Sequence, residues 1–424
     1  MLQLNYIRDN KEEVLKRLAI KNFKDAETII NRVIELDNDR RTTQKDGDAI
    51  KAEANTIAKQ IGELMKAGKK EEAEIQKAKT ADLKLREKNL DEALKSIEED
   101  IKNLLVQVPN TPSEKVPAGK TLEDNEVVLE NGTKPTLVQG SVPHWDLTTK
   151  YNLIDFELGV KLTGAGFPVY KGKGARLQRA LINYFLDKAT TAGYVEIQPP
   201  IMVNEDSAYA TGQLPDKEGQ MYHVQIDNLY LIPTAEVPIT NIYRDVILKE
   251  SDLPIKNCGY TPCFRREAGS YGKDVRGLNR LHQFDKIEIV QIEHPDKSYE
   301  TLENMRDYVA GILKELDLPY RVLKLCGGDM SFASALTYDL EVWSAAQQRW
   351  LEVSSVSNFE TFQTNRLKCR FKGADGKTQL AHSLNGSALA LPRIVASLLE
   401  NNQTPEGIKI PKILVPYTGF EIIN

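Results

Sequence analysis

The sequence has few cysteines and no long apolar segment. Its 424 residues include four cysteines, which are too few and too widely spaced for a disulfide framework. No apolar run approaches the ~18 residues that a membrane-spanning helix needs. The first residues carry no basic stretch followed by an apolar one, as a secretory signal would. We therefore expect a protein of the reducing cytoplasm that contacts no membrane.

Common metal and nucleotide motifs are also missing. No two of the five histidines are four residues apart, and Cys258 and Cys263 have no second pair nearby, so zinc is not indicated. The glycine-containing segments 164–166 and 327–328 lack the Gly-Lys-Ser/Thr ending of a phosphate loop. These absences argue against the usual zinc and P-loop enzymes.

Proline is absent from residues 1–108, where Tyr6 and Phe23 are the only aromatic residues. Both kinds of residue are frequent downstream. The change predicts a domain boundary near Pro109, with one domain at 1–108 and a second at 109–424. The first is rich in Ala, Glu, Lys and Leu, a composition typical of long helices.

Apolar residues in the N-terminal domain recur at alternating steps of four and three, a heptad pattern with a polar interruption. The first seam runs through Ile29, Val33, Leu36, Arg40, Thr43, Gly47, Ile50, Ala54, Ile57, Ile61 and Leu64. The second runs through Leu90, Leu94, Ile97, Ile101 and Leu104. A polar segment containing Gly68 separates them. The pattern predicts two long helices folded into an antiparallel coiled-coil hairpin, an arm of roughly 50 Å at ~1.5 Å per residue.

The arm is densely charged but neutral. Residues 1–105 contain 22 basic and 22 acidic side chains, whereas the whole chain has a net charge of −5. This balance does not exclude nucleic acid as a partner of the arm. A structural spacer or dimerisation coiled coil fits the pattern too, as does a rigid lever presenting Lys and Arg to a long polyanion. The arm's sequence leaves these alternatives open.

The second domain reads as α+β, with a mostly antiparallel sheet. A helix is predicted from Ala175 to Thr190, followed by a strand that proline ends at Pro199. Further helices are predicted near 298–316, 333–348 and 387–401. Strands and helices do not alternate regularly, which disfavours a parallel βαβ sheet.

Two strand-like segments joined by a polar loop carry a candidate site. The first covers residues 261–267, the loop 268–277, and the second strand 281–290. Successive strand side chains point to opposite faces, so Arg265 and Glu267 share a face. An arginine held on a strand can bind a phosphate through two hydrogen bonds.

The second strand separates charged from aliphatic side chains. One face carries Phe284, Lys286 and Glu288, and the other Ile287 and Ile289. An aromatic ring beside an arginine can stack on a nucleotide base. An exposed hairpin with cross-strand ion pairs is the alternative interpretation.

These residues resemble the second signature motif of the class II aminoacyl-tRNA synthetases. The resemblance is carried by Phe-Arg-Arg-Glu at 264–267 and by Arg-Gly-Leu-Asn-Arg-Leu-His-Gln-Phe at 276–284, the latter in the form typical of the seryl-tRNA synthetase family. Residues 193–200 resemble the first motif, at the dimer interface, and residues 385–393 the third, a strand entering a helix. Other seryl-type segments are Thr234-Ala235-Glu236, Glu352-Val353-Ser354-Ser355, Asn358-Phe359 and the N-terminal hairpin.

The resemblance implies a class II catalytic domain and a site for each substrate. ATP would contact Arg265, Arg266, Glu267, Leu281, Phe284, Glu352, Val353, Ser354, Ser355 and Arg393. Serine would contact Thr234, Ala235, Glu236, Arg265, Glu288 and Ser387. Magnesium would be held by Glu352 and Ser355, and the acceptor end of tRNA by Lys273, Arg276 and Arg280. The candidate catalytic residues are Arg265, Glu267 and Arg393.

The implied activity is that of a serine–tRNA ligase, which forms seryl-adenylate from L-serine and ATP and then charges tRNA(Ser). The resemblance also implies a homodimer in which the arm serves tRNA bound at the other subunit. The alternative is a catalytically inactive paralogue that binds RNA or protein. Because the motif side chains are all present, the active enzyme is favoured. A paralogue that aminoacylates a carrier protein is disfavoured by the intact arm.

Overall fold

The computed structural model describes residues 1–268 and 276–424. The chain divides into two compact units. One comprises residues 1–19 and 23–109, and the other residues 20–22 and 110–424. In the described part of the chain, no helix is both long and apolar enough to cross a membrane.

The N-terminal unit is helical. Its helices are α1 (Leu4–Asp9), α2 (Lys11–Ile20), α3 (Ala26–Lys66) and α4 (Lys70–Leu105). The last two form the antiparallel hairpin that the heptads predict. Gly68, with φ of +74°, adopts the left-handed conformation in the turn between them.

The seam of α4 is longer than the sequence analysis predicts. Buried and half-buried positions continue the heptad steps from Leu90 back to Ala73, passing through Gln76, Thr80 and Glu87. These polar residues hide the period from a search for apolar residues. On α3, Asp37 is buried, and Arg8 (3.1 Å) and Arg40 (2.7 Å) both bond its carboxylate. The polar interruption therefore contains a paired charge.

The second unit is built on an eight-stranded sheet in the order β1-β11-β12-β13-β16-β10-β9-β4. Neighbouring strands are antiparallel except for the parallel pair β4 and β9. Its strands are β1 (Glu126–Asn131), β4 (Val195–Glu196), β9 (Ile255–Phe264), β10 (Gln283–Glu293), β11 (Tyr320–Lys324), β12 (Leu336–Ser344), β13 (Arg349–Asn358) and β16 (His382–Ala390).

Smaller sheets surround this one. They contain β2 (Ile154–Asp155), β3 (Val169–Tyr170), β5 (Met202–Asn204), β6 (Tyr222–Val224), β7 (Leu229–Leu231), β8 (Ile247–Lys249), β14 (Arg370–Lys372), β15 (Thr378–Leu380), β17 (Gln403–Thr404), β18 (Gly407–Lys409) and β19 (Ile422–Ile423). The helices of this unit are α5 (His144–Lys150), α6 (Phe156–Leu162), α7 (Gly172–Thr191), α8 (Glu205–Thr211), α9 (Glu236–Asn241), α10 (Ser298–Glu315), α11 (Thr361–Leu367), α12 (Leu391–Asn401) and α13 (Val415–Thr418).

One face of the central sheet packs against helices. The apolar sides of α7, α10 and α12 join the same core cluster as Ile287 and Ile289 of β10. Burying this apolar face is the main stabilising contribution to the unit. Alternation along β10 then places Lys286 and Glu288 on the opposite face.

Two of the predicted helices need correction. The segment 333–348 is not helical: it contains β12, where Leu340 and Val342 are buried and the intervening Glu341 is half-buried. The helix predicted at 387–401 begins only at Leu391, because residues 382–390 form a strand. The helices predicted at 298–316 and 175–190 are confirmed.

Two glycines within helices predict opposite responses to alanine. A Cβ at Gly62 of α3 meets no atom within 4 Å, so Gly62→Ala should stabilise the arm by about 0.5–1 kcal/mol. A Cβ at Gly174 of α7 would lie 2.2 Å from the carbonyl oxygen of Leu153, so Gly174→Ala should destabilise by about 1–3 kcal/mol. Amide hydrogen exchange should slow around residue 62 and accelerate around residue 174. Changes of the same sign would contradict this packing.

Candidate active site

Strands β9 and β10 hold Arg265 beside an aromatic ring. Cys263 is opposite Phe284 in the ladder, and the Arg265 N–H donates to the carbonyl of His282 (2.9 Å). The Arg265 guanidinium carbon lies 5.3 Å from the Phe284 ring centroid. Its Nε donates to the Pro233 carbonyl at 3.4 Å. Stacking and this hydrogen bond orient the guanidinium, as binding a planar oxyanion requires.

The ends of the adjoining loop are tied together by an ion pair. Arg280 donates to Glu267 at 2.8 Å, and Glu267 has a left-handed φ of +48°. The Arg266 N–H donates to the Gln220 carbonyl. The guanidinium carbon of Arg276 lies 4.5 Å from the ring of Trp145. Lys273, also predicted here, lies outside the described residues.

A buried polar pocket lies on the same sheet face. Lys286 Nζ donates to Thr234 Oγ1 (2.8 Å) and pairs with Glu288 Oε2 (2.6 Å), while the Thr234 hydroxyl donates to Glu288 at 3.2 Å. Glu288 faces Ser387 of β16 in the ladder. All four side chains are buried. The lysine offsets the charge of one carboxylate, which makes that burial tolerable.

Glu236, at the start of α9 and directly after the buried Ala235, supplies a second carboxylate. Burial raises its pKa to about 7, with a further contribution from the nearby charge of Glu288. Gln363 opposes this rise by donating to Glu236 Oε1 at 2.6 Å. Asn385 also bonds Glu236. The pocket thus contains one carboxylate paired with a lysine and a second one whose pKa burial raises to about 7.

Strands β12 and β13 carry a second acidic group. In the ladder, Asp339 is opposite Ser355 and Glu341 is opposite Glu352. Burial and then the charge of Glu352 raise the pKa of Asp339 well above its usual range, although Ser355 hydrogen-bonds to it. Asp339 Oδ1 is buried without a hydrogen-bond partner in the described chain. This uncompensated oxygen fits a bound cation nearby.

Arg393 lies in the first turn of α12, where Pro392 is also accommodated. Its Nε donates to the Asn279 carbonyl (3.1 Å) and its Nη1 to the Glu352 carbonyl (2.6 Å). The Glu352 carboxylate lies 3.7 Å from Nη1. Arg393 therefore bridges β13 and the segment that follows the site loop.

The remaining predicted residues lie behind the site. Leu281 and Val353 are buried in the core cluster, so only their backbone could face a ligand. The Ser354 hydroxyl donates to the Ser387 carbonyl at 2.5 Å. These three side chains stabilise the strands that carry the site.

Sequence reasoning did not assign Lys286, Gln363, Asn385 or Asp339 to the site. Lys286 had a usable signal, since it shares a strand face with Phe284 and Glu288. Asn385 had one too, as the first residue of the third class motif, whereas Gln363 and Asp339 reach the site only through tertiary folding. Among the described residues, no group of three His, Cys, Asp or Glu is placed to hold a metal. A divalent ion would therefore need oxygen ligands from a bound substrate.

The site has the parts of an enzyme that binds a nucleotide and a small zwitterion. Its class follows from a family model described as the tRNA synthetase class II core domain (G, H, P, S and T), which matches residues 222–402. A second, the seryl-tRNA synthetase N-terminal domain, matches residues 1–112.

Full-length comparisons identify the family. The chain is 50% identical to the serine–tRNA ligase of Salinibacter ruber and 46% identical to that of Chlorobium luteolum, with 100% of this chain and 99% of each relative covered. Its fold is similar to the seryl-tRNA synthetase of Pyrococcus horikoshii complexed with ATP (TM-score 0.92, 32% identity, 100% and 99% coverage). It is also similar to the cytoplasmic serine–tRNA ligase of Naegleria fowleri in complex with AMP (0.87, 28%, 100% and 99%). The chain belongs to the seryl-tRNA synthetase family, and the predicted resemblance is confirmed.

The raised pKa of Glu236 predicts a pH dependence of stability. The unfolded carboxyl ionises near pH 4.5 and the folded one near pH 7. Its contribution to stability is complete below pH 4.5 and is lost as the pH rises to 7. Glu236→Gln removes this titration. The free energy of unfolding of the variant, relative to the parent, should therefore increase by roughly 1–3 kcal/mol between pH 5 and 8.

Urea unfolding of both proteins at the two pH values measures this difference. Glu205→Gln, at an exposed carboxylate, serves as the control and should follow the parent. A constant difference between Glu236→Gln and the parent across the range would show that Glu236 is ionised in the folded pocket throughout.

Proposed function

We propose that this chain is a serine–tRNA ligase that activates L-serine with ATP and transfers the seryl group to tRNA(Ser). The observation that carries the proposal is the combination of two oriented arginines, Arg265 and Arg393, with the buried carboxylate pocket formed by β10 and α9. Family membership over the full length of the chain supports the same activity. The inactive paralogue has no comparable support.

ATP is the first substrate. In support, one of the two similar structures is a complex with ATP and the other a complex with AMP. Phe284 stacks on the adenine, and Glu267 hydrogen-bonds to the adenine or its neighbouring groups. Arg265 binds the α-phosphate and Arg393 the γ-phosphate. The supporting contacts come from Arg266, Leu281, Val353 and Ser354.

Activation is a phosphoryl-group displacement. A serine carboxylate oxygen attacks the α-phosphorus, the bond to the bridging oxygen breaks, and pyrophosphate leaves with its electron pair. Negative charge spreads over the phosphoryl oxygens, so Arg265 and Arg393 act by positioning and electrostatic stabilisation. In the second step a 3′-terminal ribose hydroxyl of tRNA attacks the seryl carbonyl and AMP leaves.

The buried pocket binds serine. Its α-ammonium group meets Glu288 and Glu236, and because a nearby cation lowers a carboxyl pKa, binding favours ionised Glu236. Thr234 and Ser387 are the candidate partners of the serine hydroxyl. Alanine would leave these buried polar groups unpaired, which provides discrimination. Lys286 holds Thr234 and Glu288 in register for both contacts.

Magnesium fits the acidic group on β12 and β13. Glu352 and Ser355 are the proposed ligands, and the unpartnered oxygen and raised pKa of Asp339 are consistent with a cation there. When bound, the ion would supply positive charge that offsets the negative charge of the phosphates.

The arm is proposed to bind tRNA. Its equal numbers of acidic and basic side chains imply local Lys and Arg contacts and shape recognition of RNA rather than a broad positive field. Arg276, Arg280 and Lys273 are proposed to meet the acceptor end.

A homodimer in the cytoplasm completes the proposal, with each arm serving tRNA at the other subunit. Exposed apolar side chains at Val195, Ile201 and Met202, around the first class motif, supply a surface for the second copy.

Arg265→Ala tests the proposed chemistry directly. Serine-dependent ATP–pyrophosphate exchange should fall by about 10²–10³, because the developing charge at the α-phosphate loses its bidentate donor. Arg370→Ala removes another half-buried arginine, in the small sheet of β8, β14 and β15, and should leave exchange unchanged. Exchange by Arg265→Ala within tenfold of the parent would remove Arg265 from the reaction.

Shortening the arm tests tRNA binding. Lys51 pairs with Asp91 across the hairpin (3.3 Å), so deleting residues 52–90 and joining the ends with a short turn retains a facing pair at the new tip. Serine activation should persist, because the catalytic residues lie in the other unit. Aminoacylation of tRNA should fall at least tenfold, the equivalent of about 1.4 kcal/mol of lost contacts.

Both reactions are measured on one preparation whose dimeric state is checked by sedimentation. Gly62→Ala, which keeps the arm at full length, is the control and should charge tRNA normally. If the truncated dimer charges tRNA at the parental rate, the arm is only a spacer.

A further inference from the structure

Two buried side chains outside the substrate pocket form a hydrogen-bonded pair. His144 begins α5, Glu400 lies near the end of α12, and neither side chain has any exposed surface. His144 Nδ1 lies 2.7 Å from Glu400 Oε1, and the His144 backbone N–H donates to the same oxygen at 3.0 Å. A carboxylate this deeply buried requires several donors.

Glu400 has further donors. Gln347 Nε2 donates to its Oε1 at 3.0 Å, and the Ser344 hydroxyl donates to its Oε2. Four hydrogen bonds to the carboxylate offset the cost of burying it. They fix Glu400 in place, and Glu400 in turn orients the imidazole of His144.

The hydrogen bond at the second ring nitrogen of His144 determines which nitrogen carries the proton. The backbone N–H of Leu278 donates to His144 Nε2 at 2.9 Å. An amide N–H can only donate, so Nε2 accepts and the neutral ring carries its proton on Nδ1, towards Glu400. The His144–Glu400 pair is thus connected, through Nε2 of His144, to the backbone of Leu278.

The residues next to Leu278 hold two groups of the ATP site. The Asn279 carbonyl accepts from Arg393 Nε at 3.1 Å, and the Arg280 guanidinium pairs with Glu267 at 2.8 Å. The Asn279 side chain also donates to Gln347 at 3.1 Å. A displacement of Leu278 would therefore be transmitted to Arg393 and Glu267.

Packing around the imidazole is close. Gly277 has φ of +65°, and a Cβ there would lie 2.3 Å from His144 Nε2. The next residue of α5, Trp145, stacks against Arg276. The backbone of 276–278 is thus held against the start of α5 by both a hydrogen bond and contact.

We propose that His144 and Glu400 are positioning residues for ATP, which act by fixing the backbone of residues 277–280 and through it the orientation of Arg393 and Glu267. This inference rests on the proposed function, in which Arg393 and Glu267 bind ATP. Neither His144 nor Glu400 touches the substrates.

Two substitutions test separately the hydrogen bonds that the His144 ring makes to Glu400 and to Leu278. His144→Asn keeps a donor at the level of Nδ1 for Glu400 but offers no acceptor to Leu278. His144→Gln reaches the level of Nε2 and restores that acceptor. In ATP–pyrophosphate exchange, His144→Asn should raise the KM for ATP about tenfold, the effect of one lost buried hydrogen bond, and leave the KM for serine within about twofold. His144→Gln should recover most of the ATP affinity.

His382→Asn provides the control. It makes the same change at a half-buried histidine whose Nδ1 lies within hydrogen-bonding distance, 2.8 Å, of Ser298 Oγ. His382→Asn should not alter the KM for ATP. The proposal is overturned if His144→Asn raises that KM no more than the control does, or if His144→Gln shows no recovery. A parent protein without serine-dependent exchange would instead overturn the proposed function.

A second variant covers the case in which His144→Asn does not fold. Gln347→Met removes the half-buried amide that joins Glu400 to Asn279. The KM for ATP should rise about threefold, again without a matching change for serine. A folded Gln347→Met protein with parental KM for ATP would then overturn the proposal.

Discussion

The pairing of Lys286 with Glu288 is the interaction on which the buried polar pocket, the proposed serine site, depends. Two residues apart on β10, these side chains share a face, and the opposite face is committed to the apolar core through Ile287 and Ile289. A buried carboxylate without a counterion would cost several kcal/mol. The lysine lets the strand carry a carboxylate inside the protein. Burial first, and then the charge of that carboxylate, raises the pKa of Glu236. Core packing and the electrostatics of the pocket are therefore linked through one strand.

Much of the fold was predictable because it depends on local periodicity. The heptads predict the hairpin, and amphipathic spacing predicts α7. The prediction failed at β12, where Leu340 and Val342 alternate with charged residues in a period of two, which we interpreted as a helix. It also fell short on α4, where Gln76, Thr80 and Glu87 occupy seam positions. On α4, polar residues at seam positions obscure the heptad period, whereas on β12 the period of two is visible and is the signal of a strand.

The candidate site likewise contains some residues that the sequence singles out and others that it does not. Arg265, Glu267 and Phe284 could be singled out because they are close in sequence and match the second class motif, although β9 ends at Phe264 and Arg265 and Glu267 follow it rather than sharing a strand face. Gln363 could not, since nothing near it in sequence distinguishes it from other amides, and only helix docking brings it to Glu236. Asn385 begins the third class motif, but its hydrogen bond to Glu236 is seen only in the folded structure. His144 and Glu400 are a further example: they lie far apart in the chain, and burial alone reveals that they belong together.

Arg393 is held by two backbone carbonyls, those of Asn279 and Glu352. Carbonyl oxygens are neutral, so they fix the direction of the guanidinium without cancelling its charge, whereas a close carboxylate partner would do both. The Glu352 carboxylate lies farther away, 3.7 Å from Nη1, and is half exposed, so the neutral carbonyls do most of the aligning. In the proposed reaction, the reorganisation that a flexible, water-solvated arginine would undergo is thus largely completed when the protein folds.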